Sequence, residues 1–504
     1  MRQEFCYDGC IVTRKQDSAL VSIPAEALFL DPDFDGTLQQ RIQHMVAKGI
    51  LSGRLSPGDK LPSSRRLASH LGVSRITVTL AYGELLSDDY LVARGRSGYF
   101  VSPTAPLRTI FEPAADKGGR AVDWSRAIGR RYSGQILPEK PSDWRSYAYP
   151  FIYGQADETL FDHRNWRLCA LQALGRKEIP YITADYFERD DPELVKFIAL
   201  RTLPRRGIRA RPEEILVTLG AQNALWLTAQ VLLGQGRTAA MEDPGYPGLR
   251  AILNHTHCNQ VRASVDAEGM RFEELPDGVD AVFTTPSHHC PTNVTMPLER
   301  RRMLLEHAAA HDYMVVEDDY EFEISFGKPP APALKSLDRD GRVIYVGSFS
   351  KSLFPGLRLG YVVAAEPFIR EVRALRATVL RHPPGQIQRT VASFLSLGHY
   401  DAMVARMSHA FAKRREVMQK AIEEHGLTLA HGETYGGSSF WMRTPGGEDA
   451  RLLAERLRPL RVLIEPGHVF FGSPSAPLDF YRLAYSSIDA SKIEEGIRLI
   501  ASRV

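Results

Sequence analysis

Between residues 214 and 349, short apolar runs alternate with stretches of helical periodicity, and this alternation narrows the choice of fold more than any other feature. Each apolar run has the length and continuity of a strand that is buried on both faces. Strands that alternate with helices form a mostly parallel sheet with helices packed on it. The sequence therefore predicts an α/β domain with strands at residues 214–220, 238–243, 281–286, 313–319 and 343–349.

The carboxyl ends of these predicted strands carry an unusual set of polar and aromatic side chains. Ligands bind at the carboxyl ends of the strands in open α/β sheets, so we expect these residues to form one site. A glycine turn after the first strand opens a helix, whose first backbone amides can hold an anion. The set comprises Ala221, Gln222, Tyr246, Asp318, Tyr320, Ser348, Ser350, Lys351 and Arg358.

Pyridoxal 5′-phosphate (PLP) is the ligand that accounts for this combination. Its phosphate requires helix-end amides, hydroxyls and an arginine, its ring nitrogen requires a carboxylate, and its aldehyde forms a Schiff base with a lysine. Lys351 lies in the tight stretch SFSKSLFPG, where limited solvation would favour the neutral amine. Taken singly, Lys351 could be a solvated charge, and Asp318 beside Asp319 could cap a helix. Tyr246 could be a core residue and Arg482 a surface ion pair, but the order and placement of the whole set favour a cofactor site.

The composition fits a soluble protein of several domains. The chain has 504 residues, of which 44% are hydrophobic and 24% charged. It has no run of 18 or more apolar residues and no signal-peptide-like start, so we expect a cytoplasmic protein that does not contact membranes. The five cysteines are too scattered for a disulfide framework. Cys6 and Cys10 could hold a metal, but no second pair of ligands is near them, and we expect reduced thiols and no metal.

Residues 37–101 have the pattern of a small DNA-binding module. Nine basic residues stand against four acidic ones, so this segment is more positive than the chain as a whole, whose net charge is +3. A short helix that begins at Ser63 or Ser64, a turn at Gly72 and a helix that begins after Ser74 predict a helix-turn-helix. A plain helical hairpin with a solvated charged face is the alternative.

The second helix of such a motif enters the major groove with its N-terminal end first. Arg75, Thr77 and Thr79 lie at that end and can reach bases or phosphates. Two short strands around ARGRSG predict a wing. Apolar residues at helical spacing predict the inner faces of the first and last helices. These residues are Leu38, Ile42, Met45 and Val46 in the first helix, and Ile76, Leu80 and Leu85 in the last.

Two stretches resemble segments of known families. LPSSRRLASHLGVSR is similar to the LPS-x-R-x-LA-x-x-LGVSR pattern of the GntR-family winged helix-turn-helix, and SFSKSLFPGLRLGY resembles the lysine segment of fold-type I aminotransferases. The first resemblance implies DNA contacts by Arg65, Arg75, Thr77, Thr79 and the wing glycine Gly98. The second implies a Schiff base between Lys351 and PLP, and phosphate binding by Ser348, Arg358 and the amides of Ala221 and Gln222. It also implies that Asp318 pairs with the pyridine nitrogen, that Tyr320 bonds the ring hydroxyl and that Tyr246 stacks on the ring. Arg482 would bind the carboxylate of an amino acid.

Together the two halves resemble the MocR subfamily of regulators, which join a GntR-type domain to an aminotransferase-like domain. The resemblance to that subfamily implies a domain-swapped, head-to-tail homodimer, so we expect a dimer of this kind. The stretch TPSHHCPTNVTMP is similar to a segment of the subfamily, but Asn293 replaces its usual glycine, and the aminotransferase Asn-Pro-x-Gly is absent. We place His288 or His289 near the position of that asparagine, which contacts the ring hydroxyl. This departure argues against efficient transamination.

We therefore expect a transcriptional regulator that binds double-stranded DNA and senses an amine-bearing, amino-acid-like effector by Schiff-base exchange at Lys351. Arg482 would hold the anionic group of the effector. Candidate effectors are γ-aminobutyrate, taurine and 2,4-diaminobutyrate, and we expect a role in compatible-solute (ectoine-type) or related amine catabolism. A working aminotransferase with an appended DNA-binding module and a PLP sensor for vitamin B6 genes are alternatives. The expected domains are an N-terminal extension (1–36), a winged helix-turn-helix (37–101), a linker (102–146) and an aminotransferase-like domain (147–504).

Overall fold

The structure is a computed structural model of the chain. It describes residues 22–106, 122–133, 138, 140–155, 157–326, 331–430, 436–473 and 475–504. The chain divides into two compact units, Met1–Gly129 and Arg130–Val504, and each is described by itself. None of the described helices is both long enough and apolar enough to cross a lipid bilayer.

The N-terminal unit contains a winged helix-turn-helix, as the sequence predicts. Its three main helices begin at hydroxyl caps, because the side chains of Thr37, Ser63 and Ser74 each accept a hydrogen bond from the backbone N–H three residues later. Gly72 supplies the left-handed turn between the second and third helices, with φ +67°. The elements are α1 (Leu38–Leu51), α2 (Ser64–Leu71), α3 (Arg75–Ser87), the antiparallel wing strands β1 (Leu91–Ala93) and β2 (Tyr99–Val101), and the short α4 (Trp124–Ala127).

The core of this unit differs from the prediction for α3. Ile76 is 72% exposed and Leu80 is 53% exposed, and of the three predicted core residues only Leu85 is buried. The prediction was wrong because α3 carries apolar residues on both faces, so that apolar spacing does not identify the inner face. In α1, Leu38 is also exposed, at 47%. The residues of these two helices that fill the interior are Ile42, Met45, Val46, Ile50, Val78, Ala81, Tyr82 and Leu85.

The larger unit is an α/β domain built on an eight-stranded sheet, as predicted. It begins with β3 (Tyr149–Pro150), which lies outside this sheet. The predicted strands are present as β4 (Ile215–Thr218), β5 (Thr238–Asp243), β8 (Ala281–Thr284), β9 (Met314–Asp319) and β10 (Val343–Ser348). Three strands of this sheet were not predicted, namely β6 (Asn259–Asp266), β7 (Gly269–Met270) and β11 (Gly360–Val363).

The order of strands across this sheet is β4-β11-β10-β9-β8-β5-β6-β7. The strands β11 and β7 run antiparallel to their neighbours, and the others are parallel. Alternate residues of β4 enter two different apolar clusters, Ile215 and Val217 in one and Leu216 in the other, so both faces of the sheet are covered. The helices of this unit are α5 (His163–Ala173), α6 (Ile179–Ile182), α7 (Pro192–Phe197), α8 (Gly220–Leu232), α9 (Pro247–Thr256), α10 (Leu298–Ala310), α11 (Leu334–Leu337), α12 (Glu366–Leu380), α13 (Gly385–Ser396), α14 (His399–Glu424), α15 (Ala450–Leu457) and α16 (Ala490–Ala501).

A second, smaller sheet follows in the chain. It consists of β12 (Thr428–Leu429), β13 (Ser439–Arg443), β15 (Glu465–Pro466) and β16 (Phe480–Ala484), in the order β12-β13-β16-β15. The antiparallel register of β15 and β16 places Glu465 opposite Arg482. Between β13 and β15 in the chain, β14 (Val462–Leu463) pairs with β3. Part of the stretch assigned to a linker from the sequence packs here, because Trp144 is buried against Ile152 and Leu463.

Candidate cofactor and effector site, and candidate DNA-binding surface

The predicted cofactor and effector residues surround one cavity in the larger unit. The cavity has a volume of about 340 Å³ and lies at the carboxyl ends of β4, β5, β9 and β10. The residues that line the cavity come from separate segments of the chain. They converge because parallel strands end at the same edge of the sheet. The predicted residues that line the cavity are Ala221, Gln222, Tyr246, Asp318, Tyr320, Ser348, Ser350, Lys351, Arg358 and Arg482.

Lys351 lines this cavity in surroundings that favour a neutral amine. Its Nζ lies 4.0 Å from the centroid of the Tyr153 ring. Burial lowers the pKa of Lys351 to about 8, Glu321 opposes this shift, and the positive charges of Arg482 and Lys140 add to it. A neutral amine is the nucleophilic form of lysine, so this environment fits a lysine that reacts with an aldehyde.

The two adjacent aspartates at the end of β9 have different surroundings. Asp319 accepts hydrogen bonds from Arg206 Nε (2.7 Å) and from the Tyr345 hydroxyl (2.9 Å). Asp318 lines the cavity, and its Oδ1 has no hydrogen-bond partner among the described residues. Burial, with Asp319 and Glu242 nearby, raises the pKa of Asp318 to about 8. A buried carboxyl group with a free oxygen at a cavity wall fits the partner of a pyridine nitrogen.

An anion-binding corner lies at the start of α8. Gly220 takes a left-handed conformation (φ +79°), and a Cβ at this position would lie 3.4 Å from the Arg358 guanidinium and 3.6 Å from Ser350 Oγ. Ser350 Oγ is buried and has no partner among the described residues. The backbone N–H of Ser350 donates to Ser348 Oγ at 3.1 Å. A helix N-terminus, hydroxyls and an arginine in one corner suit a phosphate group.

The wall near the predicted ring position differs from one prediction. His288 and His289 do not line the cavity, because His289 Nδ1 pairs with the Thr292 hydroxyl (2.7 Å) and His288 is fully enclosed. Cys290 lines the cavity instead, and burial raises the pKa of its thiol to about 11. Tyr320 also lines the cavity and donates its hydroxyl to the His288 carbonyl at 3.0 Å. His288 is thus close to the cavity wall through its backbone carbonyl, whereas the side chain that lines the wall is that of Cys290.

The replacement of the subfamily's glycine by Asn293 has a structural explanation. Asn293 adopts φ +62°, a left-handed conformation that asparagine tolerates better than other residues with a side chain. Its amide also donates a hydrogen bond to the Gly436 carbonyl at 2.9 Å. The loop can therefore keep a backbone that normally requires glycine.

Arg482 is a buried arginine with one side already occupied. Its Nε donates to Glu465 Oε2 at 2.9 Å, and both side chains are only 5% exposed. Its guanidinium lies between the rings of Tyr153 (4.1 Å) and Phe470 (4.7 Å). Burial alone would lower the pKa of Arg482, but Glu465 raises it above the ordinary value, so the guanidinium is positively charged. Nη1 lies 4.0 Å from the Cys290 sulfur at the cavity wall, where it can meet an anion.

Several residues of the cavity were not singled out from the sequence. Lys140 is the least expected, since it belongs to the stretch assigned to a linker; its Nζ donates to the Tyr153 carbonyl at 3.4 Å. No local sequence signal marks these residues, although the pairing of an acidic and a basic residue on two late strands could have suggested Glu465. They include Lys140, Tyr153, Cys290, Glu465 and Phe470.

The arrangement as a whole fits PLP. Asp318 Oδ1 and Ser350 Oγ are buried polar atoms without a hydrogen-bond partner among the described residues, so a bound ligand could satisfy them. Lys351 has the lowered pKa that a Schiff-base lysine needs. Tyr246 lies at the start of α9 on the cavity wall, where a planar ring could stack. We therefore treat the cavity as a candidate PLP site.

The predicted DNA-contacting residues lie together on the N-terminal unit. Arg65 in α2 and Arg75 and Thr79 in α3 are exposed, and Thr77 is half-buried. Thr79 Oγ1 donates to the Arg75 carbonyl at 2.9 Å, which leaves it able only to accept a further hydrogen bond. Gly98 has φ +104° and ψ −154°, which only glycine adopts readily, so it sets the shape of the wing.

The fold and these two sites define a class of protein, a DNA-binding unit joined to an aminotransferase-like unit. Residues 38–101 match the family "Bacterial regulatory proteins, gntR family", and residues 168–500 match "Aminotransferase class I and II". The chain is 59% identical to the HTH-type transcriptional regulator TauR of Rhodobacter capsulatus over 95% of this chain and 99% of the relative. It is 30% identical to the probable rhizopine catabolism regulatory protein MocR of Rhizobium meliloti, over 94% and 95%. The chain therefore belongs to the MocR-like HTH-type transcriptional regulators.

A solved structure of an enzyme supports the fold of the larger unit. LysN, an α-aminoadipate aminotransferase from Thermus thermophilus, matches with a TM-score of 0.67 and 27% identity, over 76% of this chain and 98% of the enzyme. That enzyme was solved in complex with N-(5′-phosphopyridoxyl)-L-leucine. The predicted combination of a winged helix-turn-helix with a fold-type I aminotransferase-like domain is confirmed.

Proposed function

We propose that this regulator binds PLP in the cavity at Lys351 and senses an amine that competes with Lys351 for the PLP aldehyde. The observation that carries the proposal is that one cavity brings together a lysine with a lowered pKa, an aspartate whose Oδ1 has no partner among the described residues, and a buried cationic arginine. When bound, PLP supplies an aldehyde carbon that condenses reversibly with a primary amine. The sensing step is an exchange of Schiff-base partner at Lys351.

Different residues of the cavity would bind different parts of PLP. Ser348, Arg358 and the amides of Ala221 and Gln222 would bind the phosphate. Asp318 would hold a proton on the ring nitrogen, Tyr320 would bond the ring hydroxyl, and Tyr246 would stack on the ring. An effector amine that took the place of Lys351 would leave the Lys351 amine free in a cavity that also contains Arg482 and Lys140. That change in charge and contact is the differential interaction that a regulatory response requires.

The effector should carry an anionic group as well as an amine. Glu465 occupies Nε of Arg482 and leaves the terminal nitrogens for a ligand. Lys140 lines the same cavity and lies close enough to Glu465 and Arg482 for their charges to affect its pKa. The two cations exceed the single charge of Glu465, so an anionic ligand would restore neutrality. Suitable effectors are γ-aminobutyrate, taurine and 2,4-diaminobutyrate, the last of which would connect the regulator to ectoine-type catabolism.

The N-terminal unit would bind a double-stranded DNA operator in the cytoplasm. Arg65, Arg75, Thr77 and Thr79 would contact bases or phosphates, and the wing tip at Gly98 would approach the backbone. We propose a domain-swapped homodimer as the active form, which would present two DNA-binding units to two half-sites.

The first experiment records the visible spectrum of the PLP-loaded, full-length protein while each candidate amine is added, and then a keto acid. n-Butylamine, which lacks an anionic group, is the matched control ligand. A spectral change that needs the anionic group and persists supports sensing. Bleaching that a keto acid reverses would indicate a working aminotransferase, and no change with any amine would refute effector exchange.

Two variants test the assigned roles in the same assay. Lys351→Ala should abolish the absorbance of covalently bound PLP and leave operator binding intact, whereas Lys196→Ala, an exposed lysine of the same unit, should change neither. Arg482→Met should remove the preference for anionic amines over n-butylamine. Its control is Arg443→Met, an exposed arginine of the same sheet that pairs with Asp479. An unchanged spectrum in Lys351→Ala would refute the role of that lysine.

A further inference from the structure

The helix α3 carries two large apolar side chains on the face that points away from the core. Ile76 is 72% exposed and Leu80 is 53% exposed, whereas Val78, Ala81 and Tyr82 are buried. In a helix with 3.6 residues per turn, positions four apart differ by about 40° around the axis. Ile76 and Leu80 therefore form one outward stripe, roughly opposite the buried side.

Polar groups border this stripe. Arg75 and Thr79 are exposed on one edge of it, and α3 begins at the Ser74 cap, where its positive N-terminal end lies. Gly83 is exposed beside Ile76, about 20° away around the axis and about two turns further on, with nothing within 4 Å of where its Cβ would lie. Arg75 and the positive end of α3 favour a partner with negative charge near the start of the helix, and the stripe favours one that also offers small apolar groups. Glu84 is exposed on the other edge of the stripe, about 40° from Leu80, so the partner's negative charge should lie toward the N-terminal end of α3. Gly83 lets the partner approach the helix closely.

The major groove of DNA offers that combination, because phosphates line its edges and the C5-methyl group of thymine projects into it. We propose that Ile76 and Leu80 read thymines in the operator by contact with their C5-methyl groups. Thymine is the only ordinary DNA base with this methyl group, so the contact would add sequence specificity that phosphate contacts cannot supply. The inference depends on DNA binding by the N-terminal unit and not on PLP, so either proposal can fail alone.

The test removes single methyl groups from the DNA. The PLP-loaded, full-length protein first selects its preferred sequence from random duplexes. Each thymine of that duplex is then replaced by deoxyuridine, which lacks the C5-methyl group and keeps the same base-pairing edge. We expect one or two thymines in each half-site at which the replacement weakens binding about fourfold, because burial of a methyl group contributes about 0.8 kcal/mol and tenfold corresponds to 1.4 kcal/mol.

Variants then assign the sensitive thymines to side chains. Ile76→Ala and Leu80→Ala should bind the thymine duplex more weakly and should each lose the sensitivity to deoxyuridine at one position. Both side chains are exposed, so the unit should stay folded. Leu38→Ala is the matched control, since it removes an exposed apolar side chain of the same unit from a different helix. It should keep the wild-type sensitivity.

Two outcomes would overturn the proposal. One is a wild-type protein that binds every deoxyuridine duplex as tightly as the thymine duplex, a result that needs no variant. The other is a pair of alanine variants that retain the full methyl sensitivity. If these variants instead change the oligomeric state measured by light scattering and leave the methyl sensitivity intact, the stripe packs against a second copy of the chain.

Discussion

The amine of Lys351 should capture PLP at neutral pH far faster than an ordinary lysine. Burial lowers the pKa of Lys351 from 10.5 to about 8. At pH 7, about one such amine in ten is neutral, compared with about one in 3,000 for a lysine with the ordinary pKa. If the rate depends on the neutral amine, the cavity makes Lys351 about 300-fold more reactive at this pH than its side-chain type alone would allow.

The pH dependence of capture tests this reasoning. The protein stripped of PLP is mixed rapidly with PLP between about pH 6 and pH 10, and the growth of visible absorbance gives the rate. The rate should rise about tenfold per pH unit below pH 8, because each unit exposes ten times more neutral amine, and should level off above it. A rate that continues to rise to pH 10 would refute the lowered pKa.

Two neighbouring charges should move the midpoint of that profile in opposite directions. Glu321 raises the pKa of Lys351, so Glu321→Gln should shift the midpoint to lower pH. Arg482 lowers the pKa of Lys351, so Arg482→Met should shift the midpoint to higher pH. Shifts in the same direction would show that the variants disturb the cavity generally and do not act through charge.

Three further predictions concern other parts of the chain. Arg206→Leu should lower the free energy of unfolding, measured in urea, by about 3–5 kcal/mol, because it leaves Asp319 buried without its charge partner. Arg205→Leu, whose ion pair is exposed, should lower it by less than about 1 kcal/mol. Equal losses in the two variants would contradict this reasoning. Arg75→Ala should weaken operator binding by about 1–3 kcal/mol in a gel shift if Arg75 reads a base, and wild-type affinity would remove it from the contacts. Lys140→Met should raise the effector concentration needed for half of the spectral change about two- to fivefold, as expected for a partly exposed charge, and no change would exclude Lys140 from effector binding.

The larger fold could be predicted because its central strands are buried on both faces. The strands β8 and β10 are buried at every residue, and such strands have continuous apolar sequences. In contrast, β6 lies near the edge of the sheet and is half exposed, so its sequence NQVRASVD mixes polar and apolar residues. The strand β11 follows the lysine segment directly and runs antiparallel to β10. A short strand that returns beside its predecessor does not fit the alternation of strands and helices from which the fold was predicted.

Much of the candidate site could be predicted because parallel strands bring their ends together. Tyr246, Asp318 and Lys351 all follow or end such strands, so their convergence follows from the topology. Tyr153 and Glu465 could not be found in this way. The N–H of Tyr153 donates to Glu465 Oε2 at 3.2 Å across 312 positions of the chain, a contact that only tertiary packing creates. Residues of this kind lack a local signal.

The two aspartates of β9 show why residue type alone does not define a role. Side chains alternate between the two faces of a strand, so Asp318 shares a face with Val316 and Asp319 shares the opposite face with Val315, and these valines belong to different apolar clusters. On its face, Asp319 meets Arg206, which keeps the pKa of its carboxyl group low despite burial. At Asp318, burial raises the pKa, and the charge of Lys351 opposes that shift without reversing it. The two neighbouring aspartates thus differ in role because their side chains lie on opposite faces of β9. Asp319 forms a buried ion pair, and Asp318 lines the cavity, where it can bind a ligand.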